Sequence, residues 1–354
     1  MITLDLRHAI ARAITEGGYG DAVDPGLRPG GRPGEYASSV AFALTRGSAG
    51  SAVPFEVARE LAARLAGRYE WIADIRATGP GYLTISVTSQ AIVSLADRIA
   101  SAGPDCVRSD ALAGRVFPAP DLAPGLARGA TSRESAGSWQ SAASWSEART
   151  RLAARLTSRL AVAAGATVAA GATGRGEARE RIESSRGDRD GERGSEVAAA
   201  VAFAGADAVL FSLACATPGR PVTIDPRNIA RHHQDNPAYA VRYAHARAAS
   251  GVRWAAALGT GEAGPQRPPA DPGELTLLDA LSWLPERVAI AARRGRPDEF
   301  ARFAHQVAEL TLATVTIPTS GHAPGGDRLA IAKAACAGLA ASLGLLGVSA
   351  PDRL

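Results

Sequence analysis

Asp235-Asn236-Pro237-Ala238-Tyr239-Ala240-Val241-Arg242-Tyr243-Ala244-His245-Ala246-Arg247 is the most informative stretch of the chain. Pro237 suits the first turn of a helix, where its missing N–H would have no partner anyway. On that helix Tyr239, Tyr243 and Arg247 recur at a spacing of four and share one stripe. Two aromatic faces and a guanidinium in line suit unpaired nucleic-acid bases. Bases stack on Tyr at roughly 1–3 kcal/mol each, and Arg stacks or pairs with phosphate. The plainer alternative packs both tyrosines in a bundle and sets Arg247 on a carboxylate.

Outward from this stretch, apolar helical periods alternate with Pro/Gly clusters at 218–226, 264–273 and 318–326. Val197 to Leu213 reads as one helix, and Pro237 to about Leu258 as a second. Leu275 to Arg294 is a third that Pro285 restarts or kinks, Pro297 opens a fourth to about Thr316, and Arg328 to Leu346 is a fifth. Residues 197–354 are therefore expected to form an all-α bundle. Residues 164–196 have almost no apolar side chains and mixed charge, so a disordered linker is expected there. Residues 101–163 are rich in Pro and Gly and close on a basic helical pattern.

Residues 1–100 mix periods. Leu4, Ile10 and Ile14 mark a first amphipathic helix. A Gly/Pro loop fills 25–34, Tyr36 to Leu44 reads as helix, and Pro54 opens a helix carrying Val57, Leu61 and Leu65. Leu83, Ile85 and Val87 alternate with Tyr82, Thr84, Ser86 and Thr88, the sign of a half-buried strand after a turn at Gly79-Pro80-Gly81. The expected class is α+β: a small N-terminal α/β domain with an antiparallel sheet, a disordered middle linker and a C-terminal helical bundle.

The net charge of +4 is too weak for a dense basic stripe, so any RNA contact rests on a few placed side chains. Lys333 is the only lysine. Cys106, Cys215 and Cys336 lie far apart and form no C-x-x-C pair, so neither zinc nor a disulfide framework is expected. His232 and His233 are adjacent and point different ways, and no metal is expected there. Gly79-Pro80-Gly81 lacks the lysine of a phosphate cradle. No run is expected to reach the roughly 18 to 20 apolar residues of a membrane span, and a cytoplasmic protein follows.

Residues 235–247 resemble the anticodon-binding domain of arginyl-tRNA synthetases, where the pattern reads N-x-x-Y-x-x-Q-Y-A-H-A-R. The end, Leu345-Leu346-Gly347-Val348-Ser349-Ala350-Pro351-Asp352-Arg353-Leu354, is similar to that family's L-L-G-V-S-A-P-E-R-M. Gly34-Glu35-Tyr36-Ala37-Ser38-Ser39-Val40-Ala41 resembles its N-terminal G-D-Y-A-x-N-x-A, and Ala77-Thr78-Gly79-Pro80-Gly81-Tyr82-Leu83-Thr84-Ile85 resembles its A-G-P-G-F-I-N. The resemblance covers about 1–90 and 197–354. The middle departs from it. Such synthetases carry an H-x-G-H motif and a K-M-S-K-type loop, which stabilise the phosphates of ATP electrostatically. Here no two histidines have H-x-x-H spacing and the lone lysine lies in the bundle. Residues 101–163 then read as a degenerate remnant of the catalytic region, with Val116-Phe117 and the helix near 146–163 as a first strand and helix of its nucleotide fold.

The resemblance implies anticodon contact for Tyr243 and Arg247, joined by Tyr239. Arg242 stands where the family has Gln and adds charge. Phe300 and Phe303 stand where aromatic residues line the anticodon groove, one expected in the core and the other on the surface. Leu354 replaces a Met, and Arg353 offsets the carboxylate beside it. In the N-terminal domain Gly30, Pro33 and Ser39 replace residues that read the tRNA D-loop, leaving Arg28 and Arg32 for phosphate. His245 is expected to bond backbone within the bundle. The implied function is a tRNA-binding protein derived from an arginyl-tRNA synthetase, with no catalytic residues and no cofactor. Its partners are tRNA, with tRNA-Arg the natural candidate, and a full-length synthetase or other protein. Two alternatives stay open: a protein-interaction module that no longer touches RNA, and an arginine-tRNA ligase, which would need ATP. Apolar faces that a catalytic body would cover are expected to let the two domains dock on each other.

Overall fold

Ile2, Leu6, Ile10 and Ile14 form the buried face of α1 (Ile2–Glu16). The computed structural model describes residues 1–20, 23–46, 53–118, 137–169, 195–257, 271–315 and 326–354. After α1 come β1 (Leu27–Pro29), β2 (Glu35–Ser38), α2 (Val40–Thr45), α3 (Pro54–Leu65), β3 (Ile72–Thr78) and β4 (Tyr82–Val87). The four strands form one antiparallel sheet in the order β1-β2-β4-β3. Leu83, Ile85 and Val87 point into the core, as their alternation requires. The expected helix from Tyr36 to Leu44 is corrected. Residues 35–38 pair with β4, Tyr36 opposite Ile85, and the helix starts only at Val40. Tyr36 and Val40 are both fully buried, so the two apolar positions suit a helix and a strand followed by a helix equally well.

α4 (Ser89–Val93), α5 (Leu95–Ala102) and a 3-10 turn (Gly103–Val107) lead to β5 (Val116–Phe117). Then come α6 (Gly137–Gln140), α7 (Trp145–Ala163) and β6 (Thr167–Val168). β5 and β6 pair in parallel, Val116 with Thr167, so the intervening α7 makes a small β-α-β unit. Ser144 caps α7 by accepting from Glu147 N–H at 3.3 Å. α7 belongs to the bundle's packing. It lies against α9 (Ala206–Cys215) and α13 (Leu284–Arg294), and buries Leu152, Leu156 and Leu160. Of the expected linker, 164–169 carries β6, whereas 170–194 lies outside the described residues.

α8 (Glu196–Ala204) precedes α9, where one helix was expected. Gly205, at φ +87°, separates them, a conformation most side chains resist. α10 (Pro226–Ile229), α11 (Pro237–Ala257), α12 (Pro272–Ser282), α13, α14 (Pro297–Thr314) and α15 (Gly326–Leu346) complete the order. Asp271 and Glu274 form a reciprocal capping box on α12. Pro285 sits in the first turn of α13, so the expected restart is real. Arg328–Leu346 is long and apolar enough, by length and composition, to cross a membrane, which corrects the expectation that no such run exists. However, 61% of that window is buried against α5, α11 and their neighbours, the setting of a central core helix.

The N-terminal elements dock directly on the bundle. Thr3 Oγ1 donates to Ser282 O at 2.7 Å, and Arg7 pairs with buried Glu286 at 2.7 Å. Asp279 Oδ1 accepts from Gly34 N–H at 3.1 Å and from Tyr36 O–H at 2.9 Å. The Tyr36 ring stacks on Trp283 at 5.4 Å. Burial holds the Asp279 carboxyl above its ordinary pKa, and burial with the nearby carboxylate raises the Tyr36 phenol, which stays a donor. Gly34 has φ +82°, and a Cβ there would stand 2.5 Å from Ile92 Cδ1.

Candidate nucleic-acid interface

Asn236 sets the start of α11. Its Oδ1 accepts from Ala238 N–H at 3.1 Å, and its Nδ2 donates to Ile229 O and Arg231 O, each at 2.8 Å. One side chain thereby caps the helix and staples the preceding loop to it. His232 from that loop stacks on Tyr239 at 5.4 Å, and Tyr239 stacks on Tyr243 at 5.5 Å, with interplanar angles of 13° and 11°. Tyr239 thus packs against two rings and is half-buried. Tyr243 ends the ladder.

Beyond Tyr243 lies a cleft of about 580 Å³, lined by Tyr243, Arg247, Arg253, Trp254, Arg353 and Leu354, with Ala246, Ser250 and Ala257 as its floor. Its volume falls within the roughly 300–1,000 Å³ of ligand sites. Arg247 Nε donates to Val315 O at 3.0 Å, which fixes the guanidinium through a backbone carbonyl rather than a carboxylate. Among the described residues no Asp or Glu side chain lines the cleft, and the one carboxylate there is the terminal one of Leu354.

Arg353 and Leu354 reach the cleft because the tail is clamped. Gly347, at φ +80°, ends α15, and Val348 N–H returns to Leu343 O at 2.9 Å. Ser349 N–H and Oγ–H both donate to Asp207, at 3.3 Å for the amide. Pro351 O lies 3.0 Å from His245 Nδ1, and Cys336 Sγ lies 3.4 Å from His245 Nε2. A carbonyl only accepts, so Nδ1 donates to Pro351 O and Nε2 accepts a hydrogen bond from the Cys336 thiol. Burial raises the Cys336 pKa, which keeps that proton on sulfur.

The structure thus brings Tyr243, Arg247, Arg353 and Leu354 together and leaves the other expected residues elsewhere. Tyr239 supports Tyr243 from behind. Arg242 faces Asp207 at 3.6 Å, on the carboxylate that holds the tail. Phe300 and Phe303 are 0% and 7% exposed, and the Arg287 guanidinium covers the Phe303 ring at 4.9 Å. The expectation that one of them stacks RNA at the surface is corrected: both face the core side of α14. Arg28 and Arg32 are exposed on the N-terminal hairpin and do not line the cleft. Arg253 and Trp254 were not foreseen. The signal was present, since Trp254 lies seven residues past Arg247 and continues its stripe by two turns.

Among the described residues no group of three or more His, Cys, Asp or Glu is arranged to hold a metal ion. Burial pushes the Cys106 and Cys215 thiols up to about 12, so neither is an activated nucleophile.

Residues 241–354 match the family described as the DALR anticodon binding domain. The arginine–tRNA ligase of Micrococcus luteus is 35% identical over 172 residues, which cover 44% of this chain and 30% of the ligase. The C-terminal half is arginyl-tRNA synthetase-like. The arginine–tRNA ligase of Frankia alni is 34% identical over 160 residues and is covered to 29% of its length. The chain therefore spans less than a third of the length of either ligase. Thermus thermophilus arginyl-tRNA synthetase aligns over 100% of both chains with a TM-score of 0.55 and 16% identity, a likeness of fold.

Proposed function

We propose that this chain binds tRNA through the α11 cleft and does not itself charge it. The supporting observation is the convergence of Tyr243, Arg247, Arg353 and Leu354, drawn from segments about 100 residues apart, on one cleft. An aromatic ring at the end of a braced stack offers a fixed platform for an unpaired base. Guanidinium groups on either side offer phosphate contacts or stacking. The cleft lies in the part of the chain that matches an anticodon-binding domain, so tRNA is the RNA class to expect. The second half of the proposal rests on the sequence, which has no H-x-x-H spacing and one lysine, Lys333, in α15.

The test is binding of tRNA-Arg and an unrelated tRNA at low and physiological salt, with Tyr243→Ala and Arg247→Ala alongside. Tighter binding to tRNA-Arg, weakened by both substitutions and by salt, is the expected result. Equal, mutation-insensitive binding would overturn the cleft as the reader. ATP-dependent arginylation of tRNA by the chain alone would overturn the non-catalytic half.

A further inference from the structure

Two side chains in the cleft each leave a binding group unused among the described residues. Trp254 is 55% exposed, and among the described residues no ring or guanidinium lies on its face. A large indole held open to water forgoes the burial that normally favours it. Arg253 Nη2 donates to Ser250 Oγ at 2.7 Å, but its Nη1 is buried with no hydrogen-bond partner. A buried donor left unpaired is costly, and an acceptor arriving from outside would remove that cost.

Position along the helix says what that acceptor belongs to. Tyr243 and Trp254 are eleven residues apart, which is about 16 Å along an α-helix at 1.5 Å per residue. Successive nucleotides of a stacked strand advance only about 3.4 Å. Bases seated on Tyr243 and on Trp254 are therefore not neighbours in one stack. A base that stacks on a side-chain ring has left its own neighbours, so both positions take unpaired bases several nucleotides apart, the state of an RNA loop and not of a duplex.

We propose that Trp254 and Arg253 form a second nucleotide subsite, in which the indole receives an unpaired base and Arg253 Nη1 donates to a phosphate oxygen of the same strand. This rests on the tRNA-binding reading above and deepens it. The cleft then takes a single-stranded segment of several nucleotides, with Tyr243 and Arg247 at one end and Trp254 and Arg253 at the other. Arg353 faces the strand between them.

The experiment uses the full chain with tRNA-Arg and with a fully paired RNA duplex, comparing wild type, Trp254→Ala, Trp254→Phe, Arg253→Gln and Tyr243→Ala. Trp254→Ala is expected to weaken tRNA binding about tenfold, and Trp254→Phe to keep most of it. Tryptophan emission should be quenched by tRNA in the wild type and much less in Trp254→Phe. Arg253→Gln should lower the salt dependence by about one phosphate contact. The duplex should bind weakly and feel neither Trp254 substitution. Unchanged affinity and quenching in the Trp254 variants, with binding still lost in Tyr243→Ala, would overturn this subsite and leave the tRNA reading standing. Absence of tRNA binding by the wild type would overturn both. Because Trp254 is exposed, matching unfolding curves are expected and separate a binding loss from a folding loss.

Discussion

Tyr36 and Tyr243 both sit in short motifs that resemble the same family, yet the fold uses them in opposite ways. Tyr36 is fully buried, stacks on Trp283 and donates to Asp279 across the junction with the bundle. Tyr243 stays half exposed at the end of a ring ladder and opens on a cleft. The difference lies in what surrounds each ring. The hydroxyl of Tyr36 meets an internal acceptor, and Gly34 beside it donates to the same carboxylate, so that motif is satisfied within the chain. Around Tyr243 three guanidinium groups, of Arg247, Arg253 and Arg353, line the cleft, and Arg253 keeps a buried donor unpaired. One motif is spent on joining two parts of the chain, and the other keeps its ring on an open cleft.

This contrast breaks most visibly at Tyr36. Tyr36→Ala removes a buried ring and leaves Asp279 short of a donor, and should cost about 3–5 kcal/mol of stability in urea unfolding. The tRNA affinity of the folded fraction should not change. A parallel loss of affinity would show that the junction and the cleft are one coupled unit.

His245→Ala should cost less stability, about 1–2 kcal/mol, because it removes the bond to Pro351 and strands the Cys336 thiol. It should also weaken tRNA binding, since Arg353 and Leu354 would no longer be held over the cleft. Loss of stability with full affinity would remove the tail from the site.

At Asp279 the comparison can be sharpened by pH. Burial raises the folded carboxyl above the ordinary value of about 3.9, so the folded state binds the proton more tightly. That contribution is fully present below the unfolded pKa and is lost as pH rises through the raised folded value. Asp279→Asn keeps an oxygen for Gly34 and Tyr36 and cannot ionise. Its unfolding free energy should show a smaller decline between acid and neutral pH than the wild type. An unchanged pH profile would mean that another group sets it.

The smallest effect is expected at Arg242. Its pair with Asp207 is long and partly exposed, so Arg242→Ala should change stability by about 0.2–1 kcal/mol and leave tRNA affinity unaltered. A clear affinity loss would return Arg242 to the RNA surface.

Much of this was legible in the chain's own periodicities. Leu83, Ile85 and Val87 announced a strand, and Pro237, Pro285 and Pro297 marked helix starts. Tyr36 misled because burial on a strand that leads into a helix produces the same apolar spacing as a continuous helix. Gly205 misled because a glycine inside an apolar run is tolerated by helices and only its positive φ reveals the break. Phe300 and Phe303 misled because an aromatic side chain carries no sequence mark of which way its helix turns.

By itself the sequence determined the residue types of the cleft and the two segments that supply them, since stacking and charge are properties of Tyr and Arg wherever they sit. Only the tertiary structure decided which of them meet. The tail joins α11 through His245 and α9 through Asp207, and Cys336 of α15 braces His245, contacts between residues some 90 to 140 positions apart that no local spacing encodes. The same packing covered Tyr239, turned Phe303 inward and left Trp254 in the open. Exposure belongs to the packed chain as a whole, because a side chain is free only where no other element has come to lie against it.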